Sequence, residues 1–114
     1  MILRKLIAAF GYSLEGLAAA TKSEIAFRIE LACLLFMAPL AFWFGDSALE
    51  IAMLLSSLLL VLIAELINTA IEATINRISE ELHPLSKKAK DVGSAVVLLS
   101  LIHAGIIWLL IGWP

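Results

Sequence analysis

Three stretches free of Asp, Glu, Lys and Arg, Leu31 to Gly45, Ile51 to Ala64 and Val92 to Pro114, dominate this chain. A helix needs roughly 20 apolar residues to cross a bilayer's hydrocarbon core. The last stretch meets that length. The first two reach it by borrowing polar flanks: Arg28 and Glu30 lengthen the first, and Glu65 with Asn68 carries the second below the lipid surface. Hydrophobic residues make up 62% of the 114, against about 45–50% in soluble domains. The pattern predicts an all-α integral membrane protein of one domain, residues 1–114. Gly45-Asp46-Ser47 reads as a tight connection, and His83-Pro84 with Ser86 as the break before the last helix. The expected spans are 28–45, 48–82 with a cytoplasmic extension, and 90–113.

Residues 1–27 differ in pattern. Leu3, Leu6, Ile7, Phe10, Leu14 and Leu17 recur at helical spacing, with Arg4, Lys5, Glu15 and Lys22 largely off that stripe. This suits an amphipathic helix lying on the membrane surface, with packing against the other helices as the alternative. Gly11-Tyr12-Ser13 and Glu15 interrupt any signal-peptide core. All eight Lys and Arg flank the first span's start or lie between the second and third spans. The positive-inside rule therefore puts the N-terminus in the cytoplasm and the C-terminus outside, with Trp43, Phe44, Trp108 and Trp113 at the outer interface. No basic tract with interleaved aromatics suggests a nucleic-acid partner. The single cysteine, Cys33, excludes an intrachain disulfide and reads as a packing residue.

The segment AELINTAIEATINRI, Ala64 to Ile78, follows the second apolar stretch directly. At 100° per residue, Glu65, Asn68, Glu72 and Asn76 fall within about 80° of one another. An ionisable group near the bilayer centre costs roughly 3 kcal/mol on insertion scales, so such a row marks a functional site unless it only bonds helices together. Glu72, nearer the water, suits a hard cation, and the deeper Glu65 suits a general base. Magnesium is usually held by one or two carboxylates with phosphate oxygens and water, so Glu24 and Glu72 make a half-site that a nucleotide completes. Lys90 and Asp91, at the entrance of the last helix, are the favoured phosphate and nucleotide contacts. Lys87 and Lys88 read as topology signals and headgroup contacts. GYSLEGLA has the glycine spacing of a P-loop, but Leu17 and Ala18 replace the required Lys and Ser or Thr. His103, deep in the third span, is expected in a buried packing or interhelical role.

GYSLEGL, SEIAFRIE, ELINTAIEATINRI and KAKDVGSAVVL, in this order across nearly the whole chain, resemble the prokaryotic integral-membrane diacylglycerol kinases. The resemblance implies a homotrimer in the bacterial cytoplasmic (inner) membrane. Each subunit would have a surface helix and three spans, and the subunits would share active sites on the cytoplasmic side. It implies transfer of the γ-phosphate of MgATP to the primary hydroxyl of diacylglycerol. By that resemblance Glu65 is the general base, supported by Asn68, and Glu24 and Glu72 hold Mg²⁺. The nucleotide meets Lys5, Tyr12, Glu24, Glu72, Glu81, His83, Lys90 and Asp91. The lipid meets Ser13, Arg28, Glu30, Glu65, Ser94 and Trp108. Two positions depart from the family pattern: Asn76 stands where Asp is common, removing a possible partner for Arg77, and Lys5 stands where an Arg-type contact is expected, losing bidentate geometry. HPLSKKAKD resembles members that phosphorylate undecaprenol, the alternative substrate. A small ion or multidrug transporter is a more distant alternative, because its carboxylate must be reachable from both sides, whereas the polar residues here crowd toward one end.

Overall fold

The computed structural model describes residues 1–113; Pro114, the end of the third apolar stretch, lies outside them. Four helices follow in order: α1 (Ile2–Ser23), α2 (Ile25–Phe44), α3 (Ala48–Ile78) and α4 (Pro84–Gly112). α2, α3 and α4 are each long and apolar enough to cross a membrane. α3 lies between α2 and α4 and makes its most extensive contacts with α4. α1 touches mainly α2, and only its Ala20 is buried.

The helix limits differ from those expected, for local chemical reasons. Residue 27 was the expected end of the first helix, yet Glu24 already takes an extended backbone, φ −116° and ψ 114°. Arg28, in the first turn of α2, donates from Nη1 to the carbonyls of Thr21 and Lys22, both at 2.9 Å. It thereby satisfies acceptors that the end of α1 leaves unpaired. α3 stops at Ile78 rather than 82, and α4 begins at Pro84 rather than 90. Proline at the first helical position gives up no hydrogen bond, and His83 caps the helix by accepting the Leu85 N–H at Nδ1, 3.1 Å. Lys87, Lys88 and Lys90 consequently sit on the first turns of α4. Between α2 and α3, Ser47 Oγ accepts the Glu50 N–H at 3.1 Å. A Cβ on Gly45 would lie 2.5 Å from Ile51 Cγ1, so this close turn requires glycine.

One stripe of α3 is buried: Leu54, Ser57, Leu58, Val61, Leu62, Ala64 and Glu65. Phe27 joins Ala20 and Leu62 in a cluster flanked by Leu31, Leu34 and Leu66. Ala41, Ser57, Gly93 and Ser100 are also buried, and small residues of this kind let helices in a membrane approach closely. At the other end of the bundle, Trp108 Nε1 donates to Ser57 Oγ at 3.1 Å. Its ring meets Phe44 edge-on, with centroids 6.4 Å apart. Most other large apolar side chains, Phe36 and Leu110 among them, are exposed in the single chain. Apolar surface of that extent belongs against lipid or another protein. His103 and Cys33, expected in packing roles, are both exposed in the single chain. The packing stripe of α4 passes through Ser100 and leaves His103 to one side.

Arg28→Ala removes both bonds to the end of α1, a loss worth about 1–2 kcal/mol. Amide hydrogen exchange should then lose protection around residues 20–24 while α3 stays protected. Equal loss in α3 would mean that Arg28 supports the whole bundle rather than this hinge.

Candidate active site

The polar row is the continuation of α3's packing stripe. Buried positions along α3 end at Ala64 and Glu65, and the same helical face proceeds through Asn68, Glu72 and Asn76. Exposure grows along it: Glu65 is 6% exposed, Asn68 and Glu72 are half-buried, and Asn76 is open. Asn68 Nδ2 donates to Glu72 Oε1 at 3.2 Å. Three further oxygens, Asn68 Oδ1, Thr69 Oγ1 and Glu30 Oε2, are buried without a partner. Buried polar atoms in native proteins are nearly always paired. The amide and carboxylate oxygens among them are acceptors, so this part of the bundle is short of donors or cations.

The carboxylates here interact. Glu24 and Glu72 bear electrostatically on Glu65, and Glu65 on Glu30. Glu24 is brought in by the break between α1 and α2, Glu30 by the second turn of α2. Among the described residues no three carboxylates, imidazoles or thiols converge as a complete metal cage. Glu24 and Glu72 are hard oxygen donors, the ligand type that suits Mg²⁺ when phosphate and water supply the remaining positions.

Beyond Asn76, the α3–α4 connection encloses a cleft of about 890 Å³ whose lining includes Asn76, Glu81, His83, Lys90 and Asp91. Four residues expected at the nucleotide thus share one cavity. Lys90 and Asp91, adjacent in sequence, take different partners within the chain. Lys87 Nζ meets Asp91 Oδ2 at 2.6 Å, one turn apart and well exposed. Lys90 Nζ reaches across to Asn76 Oδ1 at 2.7 Å. The substitution at position 76 therefore bears on Lys90 rather than on Arg77. With a neutral partner, the Lys90 charge remains available to an anion. His83 uses Nδ1 as its cap, leaving Nε2 for a ligand.

The remaining expected residues are spread over α1, α2 and α4. Lys5, Tyr12 and Ser13 lie exposed on α1, and Ser13 Oγ donates to its own helix at Ala9 O, 2.9 Å. Arg28 is engaged with the end of α1, and Ser94 is exposed on α4. Trp108 is level with Ser57, eight residues before Glu65 on α3 and so about 12 Å away along the axis. Sequence reasoning singled out neither Gly93, which lies against Asn68, nor a donor-acceptor role for Asn76. A glycine one turn after the Lys-Asp pair was the available signal for the first; the second depends on a contact fourteen residues apart.

Three apolar helices with one polar seam leading out to a cleft define a helical membrane protein with a site at one end of its bundle. The chain belongs to the prokaryotic diacylglycerol kinase family, whose model matches residues 11–112. It is 48% identical over 108 residues to the diacylglycerol kinase of Haemophilus influenzae, covering 93% of this chain and 90% of that one. Identity to the diacylglycerol kinase of Escherichia coli K12 is 45% over 109 residues, 96% of this chain and 89% of the relative. The diacylglycerol kinase of Helicobacter pylori is 39% identical over 105 residues, 92% of this chain and 82% of the relative.

Asn76→Asp should turn the Lys90 contact into an ion pair and raise thermal stability by about 0.2–1 kcal/mol, screened by salt. The gain should vanish in a Lys90→Met background. Persistence there would assign the new charge to a different partner, such as Arg77.

Proposed function

We propose that this protein is an ATP-dependent diacylglycerol kinase that makes phosphatidic acid at the cytoplasmic face of a bacterial inner membrane, working as a homotrimer with shared active sites. One observation carries the reading: a single face of α3 runs from an open cleft, through half-buried Asn68 and Glu72, to buried Glu65. That gradient joins a place for a soluble substrate to a place for an embedded one. α3 has 31 residues, about 46 Å of helix, against a hydrocarbon core of about 30 Å. With Ala48 at one boundary, the other falls near residue 67. Glu65 then sits just inside the core, and Glu72 and Asn76 lie in the interfacial water.

The residues divide accordingly. Lys90 offers its charge to the phosphates, with Tyr12, Glu81, His83, Asp91 and Lys5 around the nucleotide. Glu24 and Glu72 hold Mg²⁺, which neutralises phosphate charge when bound. Glu65 takes the proton of the lipid's primary hydroxyl as its oxygen bonds to the γ-phosphorus. The bond from that phosphorus to the β–γ bridging oxygen breaks, and ADP leaves. Asn68 fixes the Glu72 carboxylate through its Nδ2 hydrogen bond. Ser13, Arg28, Glu30, Ser94 and Trp108 contact the lipid. Lys5, Tyr12 and Ser13 are exposed on α1, and much apolar surface is left open in one chain; both facts favour sites completed by a neighbouring copy.

Purified protein in mixed micelles with MgATP should phosphorylate diacylglycerol in preference to undecaprenol. The reverse preference would replace the substrate, and labelling of neither would overturn the reading. In the same assay Glu65→Gln should lower kcat by about 10²–10⁴-fold with MgATP binding retained; lost binding would remove Glu65 from the base role. Glu72→Gln should raise the Mg²⁺ concentration needed for half-maximal ATP binding, and an unchanged requirement would reject it as a metal ligand.

A further inference from the structure

We infer that Gly93 is a positioning residue for this site: its missing side chain is the space that holds the Asn68 amide, and through that amide it sets the Glu72 carboxylate. The inference rests on the proposed roles of Asn68 and Glu72. It begins from a buried glycine in the third turn of α4, where glycine costs about 1 kcal/mol of helix propensity relative to alanine. Its backbone is ordinary, since no glycine has a positive φ among the described residues. Conformational freedom therefore does not account for it. The space beside it does.

A Cβ built on Gly93 would lie 2.5 Å from Asn68 Oδ1 and 3.5 Å from Asn68 Cγ, with Ile71 Cδ1 at an ordinary 3.5 Å. The one serious overlap is with the end of a side chain that can rotate. Alanine at 93 is thus accommodated by moving Asn68 rather than by separating the helices. Asn68 is not free to move without consequence, because the same amide donates to Glu72 Oε1 at 3.2 Å. Its Oδ1 is buried, has no hydrogen-bond partner and lies against the glycine surface. α4 thus controls a carboxylate on α3 through a residue that touches neither substrate nor metal. Outer groups that orient metal ligands commonly change affinity or activity by about 10–100-fold when altered.

The test is a double-mutant cycle read as MgATP affinity, with a nonhydrolysable ATP analogue and titrated Mg²⁺ on the full-length protein in micelles. Gly93→Ala should retain a cooperative thermal transition, weaken Mg²⁺-dependent binding about tenfold and shift the Mg²⁺ titration in the direction of Glu72→Gln. In an Asn68→Ala background, where the obstructing amide is gone, Gly93→Ala should change binding less than twofold, the non-additivity expected of residues acting through one contact. Unchanged binding by Gly93→Ala, with Glu72→Gln still altering the Mg²⁺ titration, would overturn the inference and leave the metal assignment standing. An equal loss in both backgrounds would overturn it as well. No effect of Glu72→Gln on that titration would remove the metal assignment and the inference with it. Should Gly93→Ala alone fail to fold, the double variant decides: recovery of folding supports the Asn68 contact, and continued failure rejects it.

Discussion

Lipid hydrocarbon offers no hydrogen-bond partner to a carboxylate, so Glu65, the deepest member of the polar row, has one acceptable direction, inward to the seam with α2 and α4. The arrangement follows from this constraint. Leu54, Leu58, Val61 and Leu62 bury the same face that carries Glu65, so packing and polar residues share one stripe. A slip of α3 about its own axis would both expose leucines from the core and push Glu65 toward lipid. Apolar and polar requirements thus select the same rotation, a consistency across levels that favours one packing.

The small residues make that rotation usable. Gly93 lets α4 approach Asn68, Ser57 receives Trp108 from α4 at the far end, and Ala41 closes α2 near the turn. Packing is dense along this one line and sparse elsewhere. α1 buries only Ala20 among its described residues and takes the Arg28 bonds at its end, so it packs less fully than the other helices. Lys5, Tyr12 and Ser13 on α1, and His103 on α4, are exposed in the single copy. The proposed shared sites give those surfaces a place.

The helical architecture was largely legible in the sequence, because apolar run length and turn chemistry are local properties. Three bilayer-length helices follow from Leu31–Gly45, Ile51–Ala64 and Val92 onward. The turn at Gly45 to Ser47 follows from its residue types. The site was half legible. Helical periodicity alone aligned Glu65, Asn68, Glu72 and Asn76, but it was blind to which face of α4 they would meet. Lys90 and Asp91 read together as nucleotide contacts, but their partners within the chain lie beyond that pattern: Asp91 pairs one turn back with Lys87, and Lys90 crosses to Asn76. Arg28 reads as a polar extension of the first span, and the bend at Glu24 brings the α1 carbonyls to its guanidinium. His103 was expected in contact because a polar residue in an apolar span needs one; which side of α4 packs on α3 could not be read from α4 itself.

What the sequence determined by itself was therefore composition along one dimension: membrane-length helices, their order, the charge asymmetry between their ends and the alignment of polar residues on α3. These depend on the 1.5 Å rise and 100° turn of a helix and on the energetics of lipid, which every residue meets in the same way. Tertiary structure alone decided the rotations and approaches: the Lys90–Asn76 contact, the cap that Arg28 places on α1, and the Asn68 amide against Gly93. Each joins residues on different helices, and no periodicity within one helix specifies the azimuth at which another will pack against it.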